Sequence, residues 1–198
     1  MERPFGRPSN HEGGGREDEQ SDISCPITNQ RERTIELSYP EHLYEGEGGE
    51  RTSWHHPFDA EPDIVYPNGN TARYLVTGDQ SDRSLGLYQW NMGPEPTGPG
   101  PHFHRSFSES FYVLSGSVRI FDGNEWIDTR PGDYVYAPPG GLHGFRNESG
   151  EPASILILFA PGAPRESYFE GLLNLAELTA DEQADFMAYH DNHWVDPE

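Results

Sequence analysis

Four side chains in the middle of this chain are of the types and spacing that hold a metal ion. They are His102, His104, Glu109 and His143. His102 and His104 stand two apart, so on an extended segment both rings point to one face. Four residues separate His104 from Glu109, enough for a bend that turns the carboxylate back toward the imidazoles. Imidazole nitrogen together with carboxylate oxygen suits a divalent first-row metal. Burying three imidazoles and a carboxylate without partners would cost several kcal/mol, about the penalty of any unpaired buried polar group, and a metal removes that cost. The ordinary role of a lone histidine is a hydrogen-bonded core or surface residue, but four convergent groups fit that role poorly.

Two half-sites so far apart in sequence need a closed sheet to meet, and the flanking residues read as its strands. Ile64-Val65-Tyr66 opens the series and Asn68-Gly69 marks a turn. Ala72 to Thr77 and Ser84 to Met92 follow. In the latter, Leu85, Leu87, Gln89 and Asn91 share one face, and Gly86, Tyr88, Trp90 and Met92 the other; the alternation does not say which face looks inward. Pro94 to Pro101 is a Pro/Gly loop leading into His102 at the rim of the site. Glu109, Phe111 and Val113 share a face. Val118 to Phe121, Trp126 to Thr129 and Tyr134 to Ala137 are short strands between turns at Ser115-Gly116-Ser117, Asp122-Gly123-Asn124 and Pro131-Gly132-Asp133. His143 and Phe145 have the same parity, so Phe145 is a candidate cavity wall along with Phe111 and Val113. Ile155 to Phe159 is a nearly continuous apolar run, as a buried strand requires.

Beyond Pro161-Gly162 the pattern becomes helical over Glu166 to Ala176. Thr179-Ala180-Asp181-Glu182 is a capping box opening a second helix with Phe186, Met187 and His190 near one face. These helices are expected on the outside of the barrel or against a second subunit, with His190 and His193 at the surface. Trp54-His55-His56 is a poor metal pair, because adjacent residues point to opposite sides of a strand.

The spaced motifs resemble those of the cupins. Gly132-x5-Pro138-x-Gly140-x2-His143-x3-Asn147 matches the second cupin motif at every fixed position. His102-x-His104-x4-Glu109-x6-Gly116 matches the first except at its opening glycine, where this chain has Pro96. That departure touches a turn and no ligand. The resemblance covers about residues 70 to 165 and implies an all-β, jelly-roll barrel. With the flanks it gives three regions: a polar, flexible N-terminal segment over 1–55, a cupin barrel over 63–165 and a C-terminal helical extension over 166–198. The run Ser108 to Gly116, the Pro-Gly-Asp turn and Ala160-Pro161-Gly162-Ala163 are similar to the quercetin 2,3-dioxygenase-like cupins. That likeness implies one divalent transition metal (Fe, Mn, Ni, Co, Cu or Zn) on His102, His104, Glu109 and His143. It also implies a dioxygenase acting on a phenolic or enolisable molecule bound through an enolate oxygen, with Glu109 accepting the hydroxyl proton. The same ligand set also serves other chemistry, so a cyclase, dehydratase, isomerase or decarboxylase, and a non-catalytic small-molecule binder, stand beside it.

Composition narrows the partners. Acids outnumber bases 34 to 13, for a formal charge of −21, and every base is arginine. Lysine Schiff-base chemistry is thereby excluded. A phosphate-backbone partner needs basic patches, so neither nucleic acid nor an anionic membrane is expected. The expected partners are a small-molecule substrate, dioxygen and a second copy of the chain in a homodimer. Cys25 is the only cysteine, so no internal disulfide forms. No apolar run reads as a signal or a membrane span, which makes the cytoplasm the expected location. Residues 1 to 30 contain only Met1, Phe5, Ile23 and Ile27 as large aliphatic or aromatic residues, too few to offset the entropy of ordering them. A flexible tail is expected there, and a short strand over Thr34 to Tyr39.

Overall fold

The computed structural model describes residues 39–195. The expected flexible tail over 1–30 lies outside the described residues, as does all of the expected strand over 34–39 except Tyr39. The chain divides into two units, residues 1–51 and 52–198. Between Tyr39 and Arg51 the backbone is exposed and forms no helix or strand.

The strands of the second unit are β1 (Ile64–Val65), β2 (Thr71–Val76), β3 (Gly86–Met92), β4 (His102–Phe103), β5 (Ser108–Ser115), β6 (Val118–Phe121), β7 (Trp126–Thr129), β8 (Tyr134–Ala137), β9 (Gly144–Arg146), β10 (Ala153–Ala160) and β11 (His193–Trp194). Between the last two lie α1 (Glu166–Gly171), a 3-10 turn (Leu172–Glu177) and α2 (Ala180–Tyr189). One sheet has the order β1-β2-β3-β10-β5-β8; a second runs β7-β6-β9, and β4 pairs with β11. All these pairings are antiparallel. A bridge between His102 and His143 joins β4 to the end of β9, so the second sheet continues through β4 to β11. The result is an all-β jelly-roll barrel with C-terminal helices.

The two sheets share one core. Tyr88, Phe111 and Ile155 from the six-stranded sheet cluster with Val118, Ile120 and Phe145 from the other. Burial in β3 alternates strictly, with Gly86, Tyr88, Trp90 and Met92 facing inward. β10 is apolar almost throughout because it lies between β3 and β5 at the centre of its sheet.

The helices do not pack on the barrel's outer wall. α1 caps one end: Phe169 is buried against Tyr88, Trp90 and Phe159, with ring centroids 5.1, 5.6 and 6.5 Å away. Burying such a ring stabilises by roughly 1.5–3 kcal/mol. The Tyr66 hydroxyl donates to the Phe169 carbonyl at 2.7 Å, and the Tyr88 hydroxyl donates to the Glu166 carboxylate. α2 opens with the capping box at Thr179 and Glu182. Its Phe186 stacks on Tyr168 and lies against Gly171, where an added Cβ would run into the Phe186 ring. The single helix expected over 166–176 is α-helical to Gly171 and tightens to a 3-10 helix from Leu172, with the backbone still helical at Gly171. The extension is not helical to its end, because β11 returns to pair with β4.

Candidate metal centre

The two motifs meet through backbone hydrogen bonds. His102 and His143 exchange both: the His102 N–H donates to the His143 carbonyl at 2.8 Å, and the His143 N–H to the His102 carbonyl at 2.9 Å. The Gly140 N–H donates to the His104 carbonyl at 2.7 Å. Gly140 has a φ of +82°, a conformation that costs a glycine nothing, and it lets the Pro138–Gly141 turn swing His143 onto β4. Glu109 enters from the other sheet, on β5 between Phe159 of β10 and Ala137 of β8.

The structure brings His102, His104, Glu109 and His143 together. One ligand atom from each lies within 4.8 Å of the others, and all four residues are buried. Glu109 Oε2 stands 2.7 Å from His104 Nε2 and 2.9 Å from His143 Nε2. The far side of each ring is equally committed. Nδ1 of His102 faces the Gly100 carbonyl at 2.9 Å, Nδ1 of His143 the Gly141 carbonyl at 2.9 Å, and Nδ1 of His104 the Asp191 carbonyl at 2.6 Å. A carbonyl only accepts, so each Nδ1 carries the proton, and in the neutral ring each Nε2 presents its lone pair to the centre. Three inward lone pairs beside a carboxylate repel one another unless a proton or a cation sits among them. The donor set therefore fits a divalent transition metal, and the backbone carbonyls supply the outer hydrogen bonds that orient metal-binding histidines.

The electrostatics favour positive charge beside Glu109. Burial pushes the Glu109 carboxyl up, but its contacts with His104 and His143 outweigh that and hold it well below the usual carboxylate range. Burial also works against charge on His143, yet the Glu109 hydrogen bond wins and raises it. His102, which lacks that bond, is pushed down to about 4 by burial. The carboxylate is thus ionised at neutral pH and His102 is neutral, as metal binding requires, whereas Glu109 favours a proton on His143 that an incoming ion would have to displace.

A cavity of about 60 Å³ adjoins the centre, lined in part by His102, Glu109, Phe145, Trp90 and Arg165. It shares Trp90, Pro99, Tyr168 and Leu172 with a larger, more open groove of about 460 Å³ beneath the 3-10 turn and α2. Of the three aromatic and aliphatic candidates for the pocket, Phe145 lies in the cavity lining. Phe111 packs against His143 and Phe145 at centroid distances of 5.8 and 5.5 Å, and Val113 sits in the core; neither is part of that lining. Parity along β5 places both inside the barrel, but the cavity opens at the Glu109 end of the strand.

The C-terminal segment contributes what the sequence reading missed. His190 and His193 are half-buried, not surface residues. His193 stacks on Phe103, and Trp194 lies 5.1 Å from the His102 ring. Asp191, at φ +57°, gives its carbonyl to His104, while its carboxylate accepts the Arg105 and Ser106 N–H groups at 2.9 and 2.8 Å. Asn147, matched in the second motif, holds no ligand position: its amide donates to the carbonyls of Gly93 and Glu151. Trp54 is exposed, and neither His55 nor His56 joins the centre.

A jelly-roll barrel with a buried three-histidine, one-glutamate centre able to hold a metal ion defines the class of this protein. Comparison with known proteins agrees. Residues 88–159 match the model of the cupin domain. An uncharacterised protein of Streptomyces coelicolor is 32% identical over 92 residues, which span 46% of this chain and 83% of that one. The chain belongs to the cupin family. Quercetin 2,3-dioxygenase of Bacillus subtilis is 27% identical over 84 residues, 38% of this chain and 25% of the enzyme, so the match spans only a quarter of that enzyme's length. Among solved structures, an RmlC-like cupin from Shewanella frigidimarina superposes with a TM-score of 0.48 at 20% identity, covering 59% of this chain and 96% of that one. Among the described residues, no helix is long and apolar enough to cross a membrane.

Proposed function

We propose that this chain is a metal-dependent dioxygenase of a small phenolic or enolisable molecule, with the ion held by His102, His104, Glu109 and His143. The observation that carries this reading is the inward convergence of those four donors beside a cavity that opens into an aromatic-lined groove. A bound divalent ion supplies Lewis acidity, which lowers the pKa of a hydroxyl placed next to it. The chain's own residues do the rest. Trp90, Phe145 and Tyr168 offer flat apolar walls to a planar substrate. The Glu109 carboxylate, ionised and part of the cavity lining, accepts the substrate's hydroxyl proton. Phe169 of α1 adds a further aromatic wall, packed against Trp90.

The test joins elemental analysis to an oxygen electrode. Purified protein is expected to carry about one transition metal per chain, one per four-donor site. It is also expected to consume dioxygen with one of a panel of flavonols, catechols and enolisable ketones. Substrate loss at the same rate without dioxygen would replace the dioxygenase with a lyase, isomerase, cyclase or dehydratase acting through the same carboxylate.

We also propose that the chain pairs as a homodimer. Tyr112 and Leu114 of β5 and Tyr134 and Tyr136 of β8 form an exposed apolar row beside the edge of the six-stranded sheet, and a second copy would cover it. Light scattering at micromolar concentration is expected to return twice the chain mass; the monomer mass would overturn the pairing.

A further inference from the structure

One buried charge near the centre is not used by the chemistry above. Arg165 is 4% exposed and lines the same cavity as His102 and Glu109. Its guanidinium donates to the His190 carbonyl at 2.7 Å and to Asn192 Oδ1 at 3.3 Å, and stacks 4.0 Å from the Tyr168 ring centroid. These partners are neutral, and no carboxylate among the described residues lies within ion-pair distance of it. The nearby acids are engaged elsewhere: Glu166 accepts from Tyr88, and Asp191 from Arg105, Ser106 and His193. The Arg165 Nε–H finds no hydrogen-bond partner, and neither does the indole N–H of Trp90, which lines the same cavity. Two orphaned donors and an unpaired cation therefore border one small space. Counting formal charges, a divalent ion, Glu109 and Arg165 together leave about +2 unmatched in a buried site, where an unpaired charge is costly.

We propose that the substrate is an organic anion, a phenolic or enolic carboxylic acid whose carboxylate pairs with Arg165 while its hydroxyl sits at the centre beside Glu109. This deepens the function proposed above and rests on it. A guanidinium matches a carboxylate in shape as well as charge. Trp90 would donate its N–H to the same anion. The aromatic walls and the wider groove take the ring.

The test uses the full chain and two matched probes: salicylate, with a hydroxyl and a carboxylate, and salicylamide, its neutral analogue. Calorimetry on the cobalt(II)-loaded protein is expected to show salicylate binding about tenfold or more tighter, the usual worth of one charge-assisted hydrogen bond. In Arg165→Met the ratio of the two affinities should fall toward that set by the ion alone, and in Arg165→Lys part of it should return. A merely structural Arg165 would weaken both probes together and leave the ratio intact, which overturns the proposal. A second measurement needs no variant: the metal-free parent should still prefer benzoate to benzamide, and equal affinities there also overturn it. Failure to load cobalt at all would instead overturn the metal-centre reading, and the metal-free pair would still decide the role of Arg165.

Discussion

His143→Ala is expected to empty the metal site. Among the four donors, this residue alone comes from the second motif, which is tied to the first by the backbone pairing of His143 with His102 and by the Gly140 N–H on the His104 carbonyl. Its removal takes away one inward Nε2 and leaves Glu109 Oε2 with a single close imidazole, His104 at 2.7 Å. Changes to residues merely supporting a metal ligand cost about 10–100-fold in affinity. Loss of the ligand itself should exceed that, taking metal content after dialysis from about one ion per chain to near zero. The barrel should survive, since the core cluster of Tyr88, Phe111, Ile155 and their neighbours keeps its mutual contacts and loses only the packing of Phe111 on the His143 ring. Elemental analysis beside circular dichroism separates the two effects. Full metal content in a folded variant would break the ligand assignment, because three donors from the first motif would then be sufficient.

The parts that were legible in the sequence are those that repeat or punctuate. β6, β7 and β8 have the bounds that their alternation and flanking turns suggest, and β10 differs by only a few residues, because period-two patterning and Gly-containing turns are local signals. The capping box at Thr179 is legible for the same reason: its two hydrogen bonds join residues three apart. Features made by distant packing were not legible. The close seat of Phe186 on Gly171 joins residues fifteen apart, and the change to a 3-10 helix follows at Leu172. β11 is two residues long, too short for any period, and its place beside β4 depends on the preceding helices. So the Asp191 carbonyl behind His104 and the arginine that anchors His190 and Asn192 had no signature in the chain. The donor residues themselves stood out because their types are chemically specific. Their Nε2 orientation did not, since it is set by backbone carbonyls that no side-chain pattern encodes.

Glu109→Gln is expected to keep part of the metal and to lose most of the turnover. Glutamine preserves the length and shape of the side chain and one oxygen donor, so the centre can still form, though more weakly for lack of the negative charge. It cannot accept a proton. In the parent, the paired imidazoles hold the Glu109 carboxyl well below the usual carboxylate range despite its burial. It is therefore ionised throughout the neutral pH range; its low proton affinity makes it a weak base, suited to a hydroxyl whose own pKa a bound metal would lower. Removing a general base costs typically 10²–10⁴-fold, so turnover per bound metal should fall by about that factor. If Glu109 were only a ligand, turnover would follow metal occupancy and the rate per ion would stay the same. The measurement is thus substrate loss divided by metal content, for parent and variant, each with and without dioxygen. A variant matching the parent per ion removes Glu109 from proton transfer and leaves it as a donor. A large drop per ion in the presence of dioxygen, with no turnover in its absence for either protein, is the result that joins the carboxylate to an oxygen-dependent reaction.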